Sequence, residues 1–133
     1  MVFKSPRIQM QFNFKICLWL KLLLTDVDVY SVHHFKKPLL ITRLLDPVEG
    51  ESLVHLDGRA GDGRIQQEGR PRYYSQDEVR MIRQHFNRKY RRNDTYKTVV
   101  VHSFNGGPEH FHFQIAPLMS AYTSKELVIH DKG

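Results

Sequence analysis

The sequence has almost no cysteine, and its glycine and proline are not in excess. Each of these facts excludes a class of protein. Its 133 residues include one cysteine, Cys17, so neither an internal disulfide nor a cysteine-rich zinc module can form within the chain. Eight glycines and six prolines are ordinary numbers for this length, which excludes collagen-like and low-complexity chains. The length suits a single domain, residues 1–133, and the lone cysteine favours a reducing compartment, the cytoplasm or the nucleus.

Long hydrophobic runs are also missing. The most apolar stretch, residues 16–24, is shorter than the roughly 20 residues that a bilayer requires, and Lys21 interrupts it. The stretch weakly resembles a signal peptide, but no cleavage site of small residues follows it. Within residues 10–24 the even-numbered positions are apolar, and this period of two predicts a long, half-buried strand. We therefore expect no membrane partner.

Positive charge is in moderate excess. Lysine and arginine number 20 against 14 aspartates and glutamates, which gives a formal net charge of +6. Such a charge attracts nucleotides, nucleic acid and acidic lipids alike, so it does not choose among anionic partners. Eight histidines are the more informative count, because imidazole acts as an acid, a base or a metal ligand near neutral pH.

The remaining patterns predict an α+β fold with an antiparallel sheet and one main helix. Alternating or β-branched segments predict further strands at 27–32, 39–45, 98–101, 110–115 and 127–129. The segment 50–72, rich in glycine and arginine, predicts a long basic loop, which is either a lid or an insert without a role. Ser75 and Glu78 form a capping-box pattern, so a helix is expected to begin there. Its buried stripe comprises Val79, Ile82, Phe86 and Tyr90.

One strand carries a row of polar side chains that needs a chemical explanation. Because side chains alternate along a strand, His110, His112 and Gln114 share one face, while Phe111 and Phe113 share the other. Successive members of the row are about 6–7 Å apart at a rise near 3.3 Å per residue. The row follows a turn that contains Asn105, Gly106 and Gly107, where backbone N–H groups could approach a phosphate closely.

Three interpretations of the row are open from the residues alone. In the first, one imidazole attacks a phosphorus atom and forms a covalent intermediate. In the second, His110 and His112, with or without His102, hold a divalent metal. In the third, the histidines have no role beyond exposure or hydrogen bonding. Glu109 would add a negative charge beside the row and would oppose phosphate binding.

The segment HFHFQIAP, preceded by VVVHSFNGG, resembles the histidine-triad (HIT) superfamily. It is most similar to the branch of galactose-1-phosphate uridylyltransferase and diadenosine tetraphosphate phosphorylase, in which glutamine replaces the third histidine. The resemblance covers mainly residues 27–118 and implies a HIT-like sheet. Members of that branch contain two such units, whereas this chain has room for one, so a homodimer is one arrangement that the resemblance implies.

The resemblance also implies roles for individual residues. His112 matches the nucleophile that takes a nucleotidyl group, His110 matches the histidine that positions it, and Gln114 matches the residue that hydrogen-bonds the phosphate. Asn105 matches the residue ahead of the phosphate loop, and Gly106, Gly107 and His34 complete the expected nucleotide and phosphate site. The implied activity is that of a nucleotidyltransferase, phosphorylase or nucleotide hydrolase acting on a nucleoside polyphosphate. No resident metal is assigned to this site.

Two alternatives belong to other classes of protein. A HUH-type nicking endonuclease also places two histidines on a strand, separated by one hydrophobic residue, and the pair binds a metal. In that class the tyrosine nucleophile would be Tyr122, and the basic helix and loop would bind DNA. This alternative gives Gln114 no function, and nucleic acid is the less favoured partner. The other alternative is a HIT-like nucleotide-binding module without catalysis.

Overall fold

The computed structural model describes residues 1–45, 58–92, 98–104, 108–115 and 127–129, and these residues form an α+β fold. Three helices are present in this part of the chain: α1 (Pro6–Phe14), α2 (Leu18–Phe35) and α3 (Gln76–Lys89). The strands are β1 (Val2–Phe3), β2 (Leu40–Arg43), β3 (Ala60–Arg64), β4 (Tyr90–Arg92), β5 (Val100–Ser103), β6 (His110–Gln114) and β7 (Leu127–Ile129).

Five of the strands form a mixed sheet in the order β1-β2-β3-β6-β5. β1 runs parallel to β2, and the other neighbouring pairs in this sheet are antiparallel. β4 and β7 form a separate antiparallel pair. The predicted antiparallel sheet is therefore correct for most of the pairings, and the predicted short strand at 127–129 is confirmed.

The N-terminal third of the chain is helical, so the predicted strands at 10–24 and 27–32 are wrong. Ser5 caps α1, because its hydroxyl accepts a hydrogen bond from the Ile8 N–H at 3.3 Å, and Pro6 occupies the first turn, where its missing N–H costs nothing. α2 then buries Leu20, Leu23, Leu24, Val27 and Ser31, which recur every three or four residues. Cys17, immediately before α2, is buried. The fold thus has three helices in the described residues, and the expectation of one main helix is corrected.

The predicted loop at 50–72 contains a central strand of the sheet. β3, with the sequence AGDGR, pairs with β2 on one side and with β6 on the other. Its glycines allow neighbouring side chains to approach closely: a Cβ at Gly61 would lie 2.8 Å from Leu44 Cδ2, and one at Gly63 would lie 3.1 Å from both Leu39 Cδ1 and Phe113 Cε2. Residues 65–72 do form a connection to α3, whereas 50–57 lie outside the described residues.

α3 confirms the predicted helix and its capping box. The Ser75 hydroxyl accepts from the Glu78 N–H at 3.1 Å, and the Glu78 carboxylate accepts from the Ser75 N–H at 2.8 Å. Glu78 also pairs with Lys37 at 2.7 Å, which ties the end of α2 to the start of α3. All four members of the predicted stripe are buried.

One face of the large sheet packs against the helices. Phe111 and Phe113 are fully buried on this face, and the Phe111 ring lies 5.6 Å from that of Tyr74, just ahead of α3. Leu24 of α2 and Phe86 of α3 belong to the same apolar cluster. The two phenylalanines of the HFHFQ segment therefore anchor β6 to the core, as expected, and leave its histidines on the opposite face.

One side chain of α3 binds the backbone at the start of the edge strand β5. The Asn87 Oδ1 accepts from the N–H groups of Val99 and Val100, both at 2.9 Å, and its Nδ2 donates to the Val100 carbonyl at 2.8 Å. The amide thus satisfies backbone groups that an edge strand otherwise leaves to water.

We expect Asn87→Ala to lower the free energy of unfolding by about 1–3 kcal/mol, because three part-buried backbone groups lose their partner. Urea denaturation followed by circular dichroism measures this change. Gln84→Ala, at an exposed position of the same helix, is the matched control and should change stability by less than about 0.5 kcal/mol. Equal effects of the two substitutions would contradict the role assigned to Asn87.

Candidate functional site

The predicted polar row lies in the middle of the sheet. β6 is flanked by β3 and β5, and its five residues alternate between half-buried and fully buried positions. His110, His112 and Gln114 occupy the half-buried positions, on the face away from the helices. The structure therefore brings the three predicted catalytic residues together on one face, as the alternation of the sequence indicates.

A carboxylate that the sequence analysis missed lies beside His112. In the antiparallel register Asp62 of β3 is directly opposite His112, and its Oδ1 is 3.1 Å from His112 Nδ1. Asp62 is buried, with 7% of its side chain exposed, while His112 retains 23%. A buried carboxylate on Nδ1 fixes the orientation and tautomer of an imidazole and stabilises its charged form.

The second oxygen of Asp62 is paired with a cation. Arg43 of β2 is opposite Asp62 in the register, and its Nε lies 2.9 Å from Asp62 Oδ2. Three adjacent strands thus contribute Arg43, Asp62 and His112 in a line across one face of the sheet. The arginine compensates the charge of the buried carboxylate, which would otherwise be costly to keep away from water.

Gln114 contacts the other nitrogen of the His112 ring. Its Oε1 lies 2.9 Å from His112 Nε2, so in this arrangement both ring nitrogens face acceptor oxygens and both donate. Burial of the ring disfavours its charged form, but the hydrogen bonds with Asp62 and Gln114 outweigh burial. The pKa of His112 is therefore raised above its ordinary 6.5.

His110 has a different environment. Its Nδ1–H donates to the carbonyl of Pro108 at 3.0 Å, and the residues opposite it are Arg64 on β3 and Ser103 on β5. Within the described part of the chain it has no carboxylate contact like that of His112. The two histidines of the row are thus chemically distinct, and His112 is the one equipped for acid–base or nucleophilic chemistry.

Glu109 does not add a negative charge to the row. Alternation directs its side chain to the face opposite His110, where it pairs with Arg72 and accepts from His102 Nε2 at 2.8 Å. Burial alone would raise the pKa of Glu109, but the hydrogen bonds from Arg72 and His102 lower it below the ordinary value of 4.5. His102 belongs to this cluster and is separated from His112 by the sheet.

The structure describes only one of the four residues that are predicted to bind nucleotide or phosphate. Asn105, Gly106 and Gly107 lie outside the described residues, as does Tyr122 of the alternative interpretation. His34 lies in the last turn of α2, exposed, and its ring is 4.2 Å from that of Tyr30. Tyr30 in turn stacks on His85 of α3 at 4.5 Å. The structure therefore places His34 in an aromatic cluster on the helices and does not bring it to the row.

The residues that the sequence analysis missed are Arg43, Asp62 and Arg64. Asp62 and Arg64 lie in a glycine-rich segment whose composition indicates a loop, and Arg43 lies within the strand predicted at 39–45. The sequence signal that could have identified Asp62 and Arg64 is the alternation of glycine with charged residues from Gly61 to Arg64.

Comparisons give no family, relative or structural neighbour: no family model, curated protein or solved structure matches the chain. Among the described residues, no group of three or more histidine, cysteine or acidic side chains is arranged to hold a metal ion. None of the helices in the described ranges has the length and apolar character that crossing a bilayer would require.

We expect Asp62→Asn to lower the pKa of His112, because a neutral amide cannot stabilise the imidazolium as a carboxylate does. Nuclear magnetic resonance of the imidazole C–H signals measures this pKa in both proteins. His110, which lacks a carboxylate partner, serves as an internal control. An unchanged His112 pKa would contradict the coupling.

The same coupling makes stability depend on pH. Because the folded-state pKa of His112 is raised, its contribution is fully present below the unfolded value near 6.5 and is lost as pH rises through the folded value. We therefore expect Asp62→Asn to destabilise the fold more at pH 6 than at pH 9 in urea denaturation. A loss that is independent of pH would show that Asp62 acts through Arg43 alone.

Proposed function

We propose that the chain is a nucleotidyltransferase or phosphorylase that transfers a nucleotidyl group through a covalent intermediate on His112. The observation that carries this proposal is the Asp62–His112 pair, in which Oδ1 and Nδ1 are 3.1 Å apart. The pair lies on the sheet face away from the helices, where 23% of the His112 side chain is exposed. An imidazole with a carboxylate on Nδ1 presents Nε2 as its reactive atom. The resemblance of the HFHFQ segment to the uridylyltransferase and phosphorylase branch supports a nucleotidyl group as the one transferred.

The proposed first step exchanges one phosphorus bond for another. His112 loses its Nε2 proton to solvent, and Nε2 then attacks the α-phosphorus of a nucleoside polyphosphate. A bond forms between Nε2 and phosphorus, and the bond between that phosphorus and its bridging oxygen breaks, so pyrophosphate or a nucleotide leaves with the electron pair. The ring becomes cationic with its proton on Nδ1, and the Asp62 carboxylate stabilises that charge.

The second step reverses the first with another acceptor. An oxygen of inorganic phosphate or of a phosphorylated acceptor attacks the same phosphorus atom, and the electron pair returns to Nε2. Gln114 assists by turning its amide, so that the group now accepting from Nε2 instead donates an N–H to a phosphoryl oxygen. An amide cannot serve as an acid or base, which suits an intermediate that waits for an acceptor other than water.

The raised pKa of His112 gives the reaction a pH dependence. The nucleophile must be deprotonated at Nε2, so the rate of intermediate formation should rise with pH through the pKa of His112. Replacement of Asp62 lowers that pKa and moves the rise to lower pH, but it also removes the charge that stabilises the product. The shifted profile should therefore reach a lower plateau.

The experiment is covalent labelling with nucleotides that carry ³²P at the α-phosphate. We expect an acid-labile label on the wild-type protein with at least one of ATP, GTP, a UDP-sugar or a dinucleoside polyphosphate, and none on His112→Asn. Asp62→Asn should be labelled at least about 100-fold more slowly, the usual scale for loss of an acid–base partner. The control His33→Asn, an exposed histidine on α2, should be labelled like the wild type.

Two results would overturn the proposal. The first is the absence of label with all four nucleotide classes in a protein that circular dichroism shows to be folded. This result would exclude the proposed reaction and favour a nucleotide-binding module or a different activity. If the label persists in His112→Asn, the covalent intermediate forms on another residue.

A further inference from the structure

A cation without an ion-pair partner among the described residues lies on the same face of the sheet as His112. Arg64, the last residue of β3, is directly opposite His110 of β6 and is half-buried. No hydrogen bond or ion pair of Arg64 is present among the described residues. A guanidinium in a partly buried position, next to a histidine and without a carboxylate, provides a site for an anion.

Four other half-buried cations among the described residues have acidic partners. Arg72 pairs with Glu109, Lys37 with Glu78 at 2.7 Å, and Lys89 with Asp26 at 2.7 Å. Arg43, on the same face as Arg64, pairs with Asp62. Arg64 departs from this pattern at the position where the proposed chemistry needs a positive charge.

The surroundings of Arg64 favour an anion. The carboxylate of Asp62, two residues away on β3, is paired with Arg43 and His112. Glu109, adjacent to His110 in the sequence, has its carboxylate on the other face, with Arg72 and His102. The carboxylates of Asp62 and Glu109 thus already have cationic partners, and neither is paired with Arg64.

The spacing relates Arg64 to the reactive imidazole. The Arg64–His110 pair and the Asp62–His112 pair are successive same-face pairs of one antiparallel ladder, so they lie about 6–7 Å apart along the strands. A polyphosphate chain whose α-phosphorus lies at His112 Nε2 can therefore extend along the sheet towards Arg64. Arginine suits this role because its planar fork binds phosphate oxygens in a bidentate manner.

We propose that Arg64 and His110 form an anion subsite that binds the phosphates beyond the transferred group, which leave as pyrophosphate or as a terminal nucleotide. The assignment to a leaving group rests on the proposed function of His112. The subsite defines the substrate class as a phosphoanhydride: a nucleoside monophosphate would leave Arg64 without a partner.

The direct test is isothermal titration calorimetry with inorganic pyrophosphate, which needs no catalysis. We expect Arg64→Gln to weaken pyrophosphate binding about tenfold or more, since a hydrogen bond to a charged group contributes about 1.5–3 kcal/mol and 1.4 kcal/mol is a factor of ten. Arg64→Lys should recover part of the affinity. Arg83→Gln, at an exposed position on α3, removes the same charge elsewhere and should bind like the wild type.

A second readout locates the anion. The imidazole signals of His110 should shift when pyrophosphate is added to the wild type, and this shift should disappear in Arg64→Gln. Equal affinity of the wild type and Arg64→Gln would overturn the subsite. An equal loss in Arg83→Gln would also overturn it, because binding would then reflect diffuse charge.

The two proposals can fail separately. If Arg64→Gln loses pyrophosphate binding while no nucleotide labels His112, the anion subsite stands and the transfer reaction does not. If His112 is labelled while pyrophosphate affinity is the same in Arg64→Gln, the transfer reaction stands and the subsite does not.

Discussion

The antiparallel pairing of β3 with β6 is the constraint on which the site and the core both depend. One register places Asp62 opposite His112 and Arg64 opposite His110, and the same register places Gly61 and Gly63 opposite Phe113 and Phe111. A shift by one residue would turn each of these side chains to the other face of the sheet. The buried phenylalanines resist such a shift, because their exposure would cost about 1.5–3 kcal/mol for each side chain. Core packing therefore fixes the geometry of the polar face.

The composition of β3 meets two requirements at once. On the helix side, the sheet must accommodate Leu24, Leu39 and Leu44 at short distances, and glycine provides the space. On the other side, the proposed site requires a buried carboxylate and a cation from the strand. Alternation of glycine with charged residues satisfies both requirements, although it makes the strand unlike an ordinary β-strand in its residue preferences.

This dual requirement explains which parts of the fold were predictable. α3 and β6 carry strong local signals, a capping box with a helical stripe and an alternation of phenylalanine with polar residues, and both are confirmed. The sequence predicts a loop at β3 because glycine and aspartate are typical turn residues, whereas the pairing of this strand comes from partners distant in the sequence. In residues 10–24, apolar even-numbered positions also satisfy a spacing of four, and the buried Leu23 breaks the period of two in favour of a helix. The row was thus predictable from alternation within one strand, whereas the position of Asp62 beside His112 depends on the pairing of two strands that are distant in the sequence.

Arg43 gives the site its balance of charge. An isolated Asp62–His112 pair would favour the imidazolium strongly, and a permanently protonated ring has no lone pair on Nε2 with which to attack phosphorus. The guanidinium on the second oxygen of Asp62 acts in the opposite direction, since its positive charge lowers the pKa of His112. It also allows the carboxylate to remain ionised while buried. Arg43 therefore acts against the rise in the pKa of His112 without removing the carboxylate that orients its ring, and the proposed role of His112 as a nucleophile depends on this combination.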